Sequence, residues 1–131
     1  IKRKEYIKNR TKQYKQEHKE ENADWYREYR NLPKGRANYL LQSYKAKDKK
    51  YRNAICTITK DFIINEIFTK SCVYCGETDW KVLGCDRIDN NKPHTPDNVV
   101  CCCYNCNTTR QRKSFYDFLT HSSNYYPLVK R

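Results

Sequence analysis

Cys72-Val-Tyr-Cys75 and Cys103-Tyr-Asn-Cys106 decide how this chain is read. Two C-x-x-C pairs with 27 residues between them match the spacing of a structural zinc site. Each pair offers two thiolates from one tight turn, and four complete a tetrahedral shell. Between the pairs lie Gly84-Cys-Asp-Arg-Ile-Asp-Asn90 and Asp97-Asn98, and Asn107 follows the last cysteine directly. A metal at the cysteines would pin both ends of a short hairpin that carries hard oxygen donors. That arrangement suggests a second metal, with a catalytic role.

Working outward, 131 residues allow one domain, or one small domain with an appendage. Gly and Pro are few, which excludes collagen-like and low-complexity chains. No apolar run is long enough for a membrane span, and no signal-peptide core appears. The chain starts at Ile1 and has no methionine, so we expect at least an initiator residue to be missing.

Charge is uneven. Residues 1–53 hold 17 Lys and Arg against 7 Asp and Glu, while residues 54–131 hold 10 against 8. The excess is therefore +10 in the first part and +2 in the second. Seven tyrosines are interleaved with the first excess: Tyr6, Tyr14, Tyr26, Tyr29, Tyr39, Tyr44 and Tyr51. Cations beside aromatic faces suit a phosphate backbone, because binding releases condensed counterions. The competing explanation is a solvated helix face that keeps the protein soluble. An asymmetry this large favours nucleic acid.

Eight cysteines also fit a secreted disulfide scaffold. The run Cys101-Cys102-Cys103 argues against that, since adjacent residues make poor disulfide partners. We therefore expect zinc, an intracellular reducing compartment, and Cys56, Cys85, Cys101 and Cys102 as small buried hydrophobes.

Residues 1–31 read as one polar helix, ended by Leu32-Pro33-Lys34-Gly35. Ala37, Leu40, Leu41 and Tyr44 mark a second helix over 36–52. A third spans 59–68, capped by Thr59. Strands are expected around 81–86 and 98–102, with a polar loop over 89–96. A helix then runs from the second knuckle to about 112, and the last covers 115–121 behind a Ser114 cap. This division gives a basic helical arm (1–53), a zinc-bound module (54–121) and a tail (122–131).

In that order, Asp86 ends the first strand and Asn107 sits in the first turn of the helix. The zinc would hold the strands beside that helix and so bring the two together. Both are hard ligands suited to Mg²⁺. An ordinary turn carboxylate and a helix cap are the plain readings of each residue alone. Jointly, inside a four-cysteine frame, the metal-site reading is the stronger.

Cys72-x-x-Cys75, Gly84-Cys-Asp-Arg-Ile-Asp-Asn90, Thr95-Pro-Asp-Asn-Val-Val100 and Cys103-x-x-Cys-Asn-x-x-Arg110 closely resemble the HNH endonuclease family. The likeness covers about 72–121 and is nearest to small phage-type members, free-standing homing-type nucleases among them. It implies an α+β fold: a small zinc-stabilised ββα-metal module preceded by a basic helical N-terminal region. It also implies that Asp86 and Asn107 bind the catalytic divalent metal and that Asn98 fixes the loop. Hydrolysis would leave 5′-phosphate and 3′-hydroxyl ends.

One departure concerns the base. Most members of the family follow the ligand Asp with a His, but here Arg87 stands there and cannot accept a proton. His94 is the histidine within the module before Asn98, and an imidazole suits that task near neutral pH. Alternatively Arg87 clamps the scissile phosphate, with Asp89 orienting it or acting on water. The base stays open between them. The expected activity is metal-dependent hydrolysis of double-stranded DNA; the alternative is an inactive zinc module that binds DNA or RNA. Arg27, Arg30, Lys34, Arg36 and Lys45 are the expected nucleic-acid contacts in the arm, with Arg110 and Arg112 after the second knuckle.

Overall fold

The computed structural model describes residues 2–125. Of the tail expected at 122–131, residues 126–131 lie outside the described residues, and 122–125 continue the last helix. The architecture is mixed: helices around one two-stranded antiparallel sheet.

The polar N-terminal segment forms α1 (Lys2–Glu17) and α2 (Lys19–Arg30), which bury no residue. The single helix expected there is interrupted at His18, whose backbone leaves the helical region (φ −106°, ψ 20°). No Gly or Pro marks that break. Leu32 is extended, as a residue before proline tends to be, and Pro33 opens α3 (Pro33–Arg52) at its first position. Asn53, in the left-handed region at φ 47°, closes it.

Helix α3 is where packing begins. Ala37, Leu41, Tyr44 and Asp48 recur at helical spacing and are all buried. The Tyr44 hydroxyl accepts the Cys85 backbone N–H at 2.9 Å, tying α3 to the sheet. Gly35 lets α3 approach its predecessor, because a Cβ there would lie 1.7 Å from the Tyr29 carbonyl oxygen. The expected boundary at residue 53 is therefore not where packing changes. Residues 33–52 share the core of the module, whereas α1 and α2 add no buried residue to it.

Thr59 accepts the Phe62 N–H and starts α4 (Lys60–Phe62), which runs on as a π-helical turn, Ile63–Ile67. A short 3₁₀ turn, Trp80–Val82, leads into β1 (Leu83–Arg87). Strand β2 (Val99–Cys103) pairs with it, setting Leu83 opposite Cys103 and Arg87 opposite Val99. Helix α5 (Tyr104–Arg110) follows without a break, then α6 (Phe115–Tyr125). The core joins Ile63, Ile67 and Phe68 with Leu83, Cys85, Val99 and Cys101, and Phe118 seals it against Tyr74. No described helix is long and apolar enough to cross a membrane.

Candidate metal centre and adjoining polar site

Cys72, Cys75, Cys103 and Cys106 converge, all buried, with their sulfurs within 4.8 Å of one another. The Cys75 and Cys103 sulfurs are 3.6 Å apart, and neither is in a disulfide. Zinc–sulfur bonds of about 2.3 Å in a tetrahedron would set sulfurs about 3.8 Å apart, so the shell has the right size for a metal ion. Local geometry explains the convergence. Gly76, at φ 83°, closes the first knuckle, and its N–H meets the Cys72 carbonyl at 2.9 Å. Cys103 caps α5, its sulfur accepting the Cys106 N–H at 3.4 Å. A hydrogen bond with Cys102 draws the Cys72 thiol down to about 4, whereas burial pushes Cys75 up to about 11. The other four cysteines are buried as well, Cys102 against Cys72 and Cys101 with its thiol on the Ile67 carbonyl.

The polar site is built from the same two knuckles. Tyr74, inside the first, donates its hydroxyl to Asp86 Oδ2. Arg110, on the helix opened by the second, meets the same oxygen at 2.7 Å. Both contacts fall on Oδ2, so among the described residues Oδ1 has no protein partner. The ring of Tyr74 packs on Phe118 while its hydroxyl answers Asp86, and burial followed by that carboxylate pushes the phenol well above its ordinary range. Asn107 is exposed and lies one helical turn before Arg110. Residues three apart are neighbours on a helix surface, so Asn107 sits one turn from the residue that holds Asp86.

Arg110 was expected to meet nucleic acid; the structure puts it inside instead. It is 0 % exposed and uses every donor: Nη1 on Asp86 and the Arg87 carbonyl, Nη2 on the Ile88 carbonyl and Asn90 Oδ1, Nε on the Lys113 carbonyl. Of the remaining expected cations, Arg36 also turns inward, donating to the Trp80 and Leu83 carbonyls. Arg27 is exposed but paired with Asp24, and Arg30 lies over the Tyr39 ring at 5.2 Å. Lys34, Lys45 and Arg112 are exposed.

The hairpin loop between β1 and β2 is tied by Asn98. Its side chain accepts the Asp89 N–H at 2.9 Å and donates to the Asp89 and Pro93 carbonyls. Asp89 Oδ1 accepts the Asn91 N–H, an Asx turn that shapes the next residues. Arg87 is half-buried and donates Nη1 to the Asn90 and Lys92 carbonyls. Burial, and then the charge of Arg52, hold its guanidinium below the ordinary arginine value.

His94 faces the interior. It is 4 % exposed, stacked on Tyr44 with ring centroids 4.2 Å apart, and its Nδ1 lies 3.0 Å from both oxygens of Asp48. Asp48, 0 % exposed, also takes the His94 backbone N–H and Arg52 Nη1. Burial lowers the His94 pKa, and the bond to Asp48 opposes that. Sequence reasoning missed Tyr74, Asp48 and Arg52 as site residues. Asp48 carried a readable signal, since it sits four residues after Tyr44 on the apolar stripe.

A cleft of about 450 Å³ opens between Tyr51 and Arg52 of α3, Arg87, the loop residues Asn90 and Asn91, and Gln111 and Arg112 after α5. Gln111 has φ 52° and ψ −121°, a backbone state that costs a side-chain-bearing residue about 1–3 kcal/mol. The chain matches no protein-family model, and no curated protein or solved structure is significantly similar to it.

Proposed function

We propose that this chain is a metal-dependent endonuclease of the HNH type, hydrolysing phosphodiester bonds in double-stranded DNA, homing-type and phage-associated. The observation that carries the reading is the double anchoring of Asp86. One anchor, Tyr74, comes from inside the first C-x-x-C knuckle, the other, Arg110, from the helix that the second opens, and both fall on Oδ2. An acid held by the metal frame itself is what a ligand for a catalytic ion requires.

In this reading Cys72, Cys75, Cys103 and Cys106 hold a structural zinc. Asp86 and Asn107, both oxygen donors, take Mg²⁺ or another hard divalent ion. That ion supplies Lewis-acid stabilisation of the leaving 3′-oxygen. The chain's own residues do the rest. Tyr74 and Arg110 fix the Asp86 carboxylate, and Asn98 keeps the loop folded. Arg87, whose Nη1 is anchored on carbonyls, grips the scissile phosphate with its remaining donors. His94 is committed to Asp48, so the proton of the attacking water goes to Asp89 or to hydroxide from solvent.

A Mg²⁺-dependent plasmid-nicking assay tests the reading. Asp86→Ala and Asn107→Ala should each abolish cleavage and spare duplex binding. Cys103→Ser should lose the bound zinc and much of the fold, because such sites contribute folding energy directly. A zinc-free protein, or cleavage surviving in both ligand variants, would overturn it. One observation favours a second reading, a zinc module that binds DNA or RNA without chemistry. Asp86 is already neutralised by Arg110 at 2.7 Å, which weakens its claim on a metal. Duplex binding with no nicking in any divalent ion would select that reading.

A further inference from the structure

We infer that the cleft between the end of α3 and the turn after α5 is a built subsite for a phosphate group, with Arg52, Arg87 and Arg112 as its donors. The inference takes its ligand class from the nucleic-acid side of the proposed function and does not depend on the metal or on cleavage.

Three guanidiniums line one opening, contributed by three separate elements, and among the described residues no carboxylate lines it with them. Like charges held this close repel, so the arrangement persists only where the fold imposes it or an anion answers it. The fold does impose it. Arg52 is held from behind by Asp48 at 3.0 Å, itself locked to His94. Asn90 positions the other two: its carbonyl takes Arg87 Nη1, and its side-chain nitrogen donates to the Arg112 carbonyl at 3.2 Å. Asn90 Oδ1 is held in turn by Arg110 Nη2 at 3.3 Å.

Two further observations point to a ligand. Arg52 Nε is buried and has no hydrogen-bond partner, the only such side-chain atom among the described residues. The Arg52 guanidinium therefore keeps donor capacity that the protein does not use. Gln111, between the buried Arg110 and the cleft's Arg112, holds a positive φ that glycine would adopt without strain. Gln111 and Arg112 both line the opening. Planar guanidiniums match phosphate oxygens two at a time, whereas a lone halide would leave most of these donors unused.

The shared chemistry is a tetrahedral phosphate oxyanion, whether of a duplex backbone or a free or terminal phosphate. The test is NMR of the arginine Nε–Hε signals in the full chain, titrated with inorganic phosphate against chloride at matched ionic strength. Signals of Arg52 and Arg112 should shift saturably with phosphate alone. Arg112→Gln, an exposed site that keeps the fold, should weaken phosphate binding at least about tenfold, the equivalent of one charge-assisted hydrogen bond. Adding a DNA duplex then separates the sources. Displacement of phosphate identifies the backbone as the ligand, and its absence identifies a free or terminal phosphate. Equal shifts with chloride, or unchanged affinity in Arg112→Gln, would overturn the subsite even if the protein cleaves DNA. Binding that persists without nicking would leave the subsite standing and remove the nuclease.

Discussion

Arg110 shows how one side chain can change role once its surroundings are known. In sequence it follows a metal-binding motif in a basic chain and reads as a phosphate contact. In the structure it joins β1, the hairpin loop and α5, and all five donors are satisfied internally. Arg110→Met keeps much of the volume but removes the ionic partner of Asp86, which retains only Tyr74, and leaves several carbonyls without this donor. Removing one partner of a buried ion pair costs about 3–5 kcal/mol. Chemical denaturation should show a loss of that order; a loss under about 1 kcal/mol would mean the site relaxes around the gap. His94 gives a second test at this scale. Its pKa lies below the ordinary 6.5, so as pH falls through 6.5 the unfolded chain takes up a proton that the folded chain does not. The stability contributed by neutral His94 is therefore present above 6.5 and declines on acidification until the folded pKa is passed. His94→Asn keeps a donor near Asp48 but cannot titrate. Its unfolding free energy should depend less steeply on pH below 6.5, and an unchanged slope would remove His94 as the cause.

At the scale of elements, α3 is the member whose role differs most from its composition. Lys45, Lys47, Lys49 and Lys50 suggest a solvated arm, yet the opposite face supplies Ala37, Leu41, Tyr44 and Asp48 to the core. One helix can do both because its faces alternate every three or four residues. The contact with α2 is set by Gly35, where any side chain meets the Tyr29 carbonyl. Gly35→Ala should separate α2 from α3 and leave the rest of the module folded. Hydrogen exchange should then accelerate at amides of 19–30 and stay slow in β1 and β2. Slow exchange retained over 19–30 would show that the helices tolerate the clash by sliding.

For the whole molecule, the basic helices α1 and α2 bury no residue, and the core of the module begins with α3. Helix α1 buries nothing, and its exposed cations and tyrosines can serve only a partner or solubility. Deleting residues 1–31 should leave thermal stability of the module little changed and should weaken duplex binding, with a shallower dependence on salt. Deleting 1–53 should unfold the module, because Tyr44 and Asp48 leave with it. An unchanged salt slope after the shorter deletion would place the duplex contacts on the module itself.

Much was settled by sequence alone. The spacing of Cys72, Cys75, Cys103 and Cys106 announces a four-thiol site, since ligand pairs from tight turns need only local geometry to converge. Both strands and the helix capped by Thr59 also follow from local signals, whereas the break at His18 and the start of α3 at Pro33 rather than near 36 do not. Long-range partners did not follow. That His94 turns inward to Asp48, 46 positions away, depends on α3 lying across the sheet, and no local pattern encodes it. The same holds for Arg110, whose five acceptors come from the end of β1, the start of the hairpin loop and the turn after α5. A charged side chain looks alike in sequence whether water or a buried carboxylate answers it, and only the assembled fold decides which.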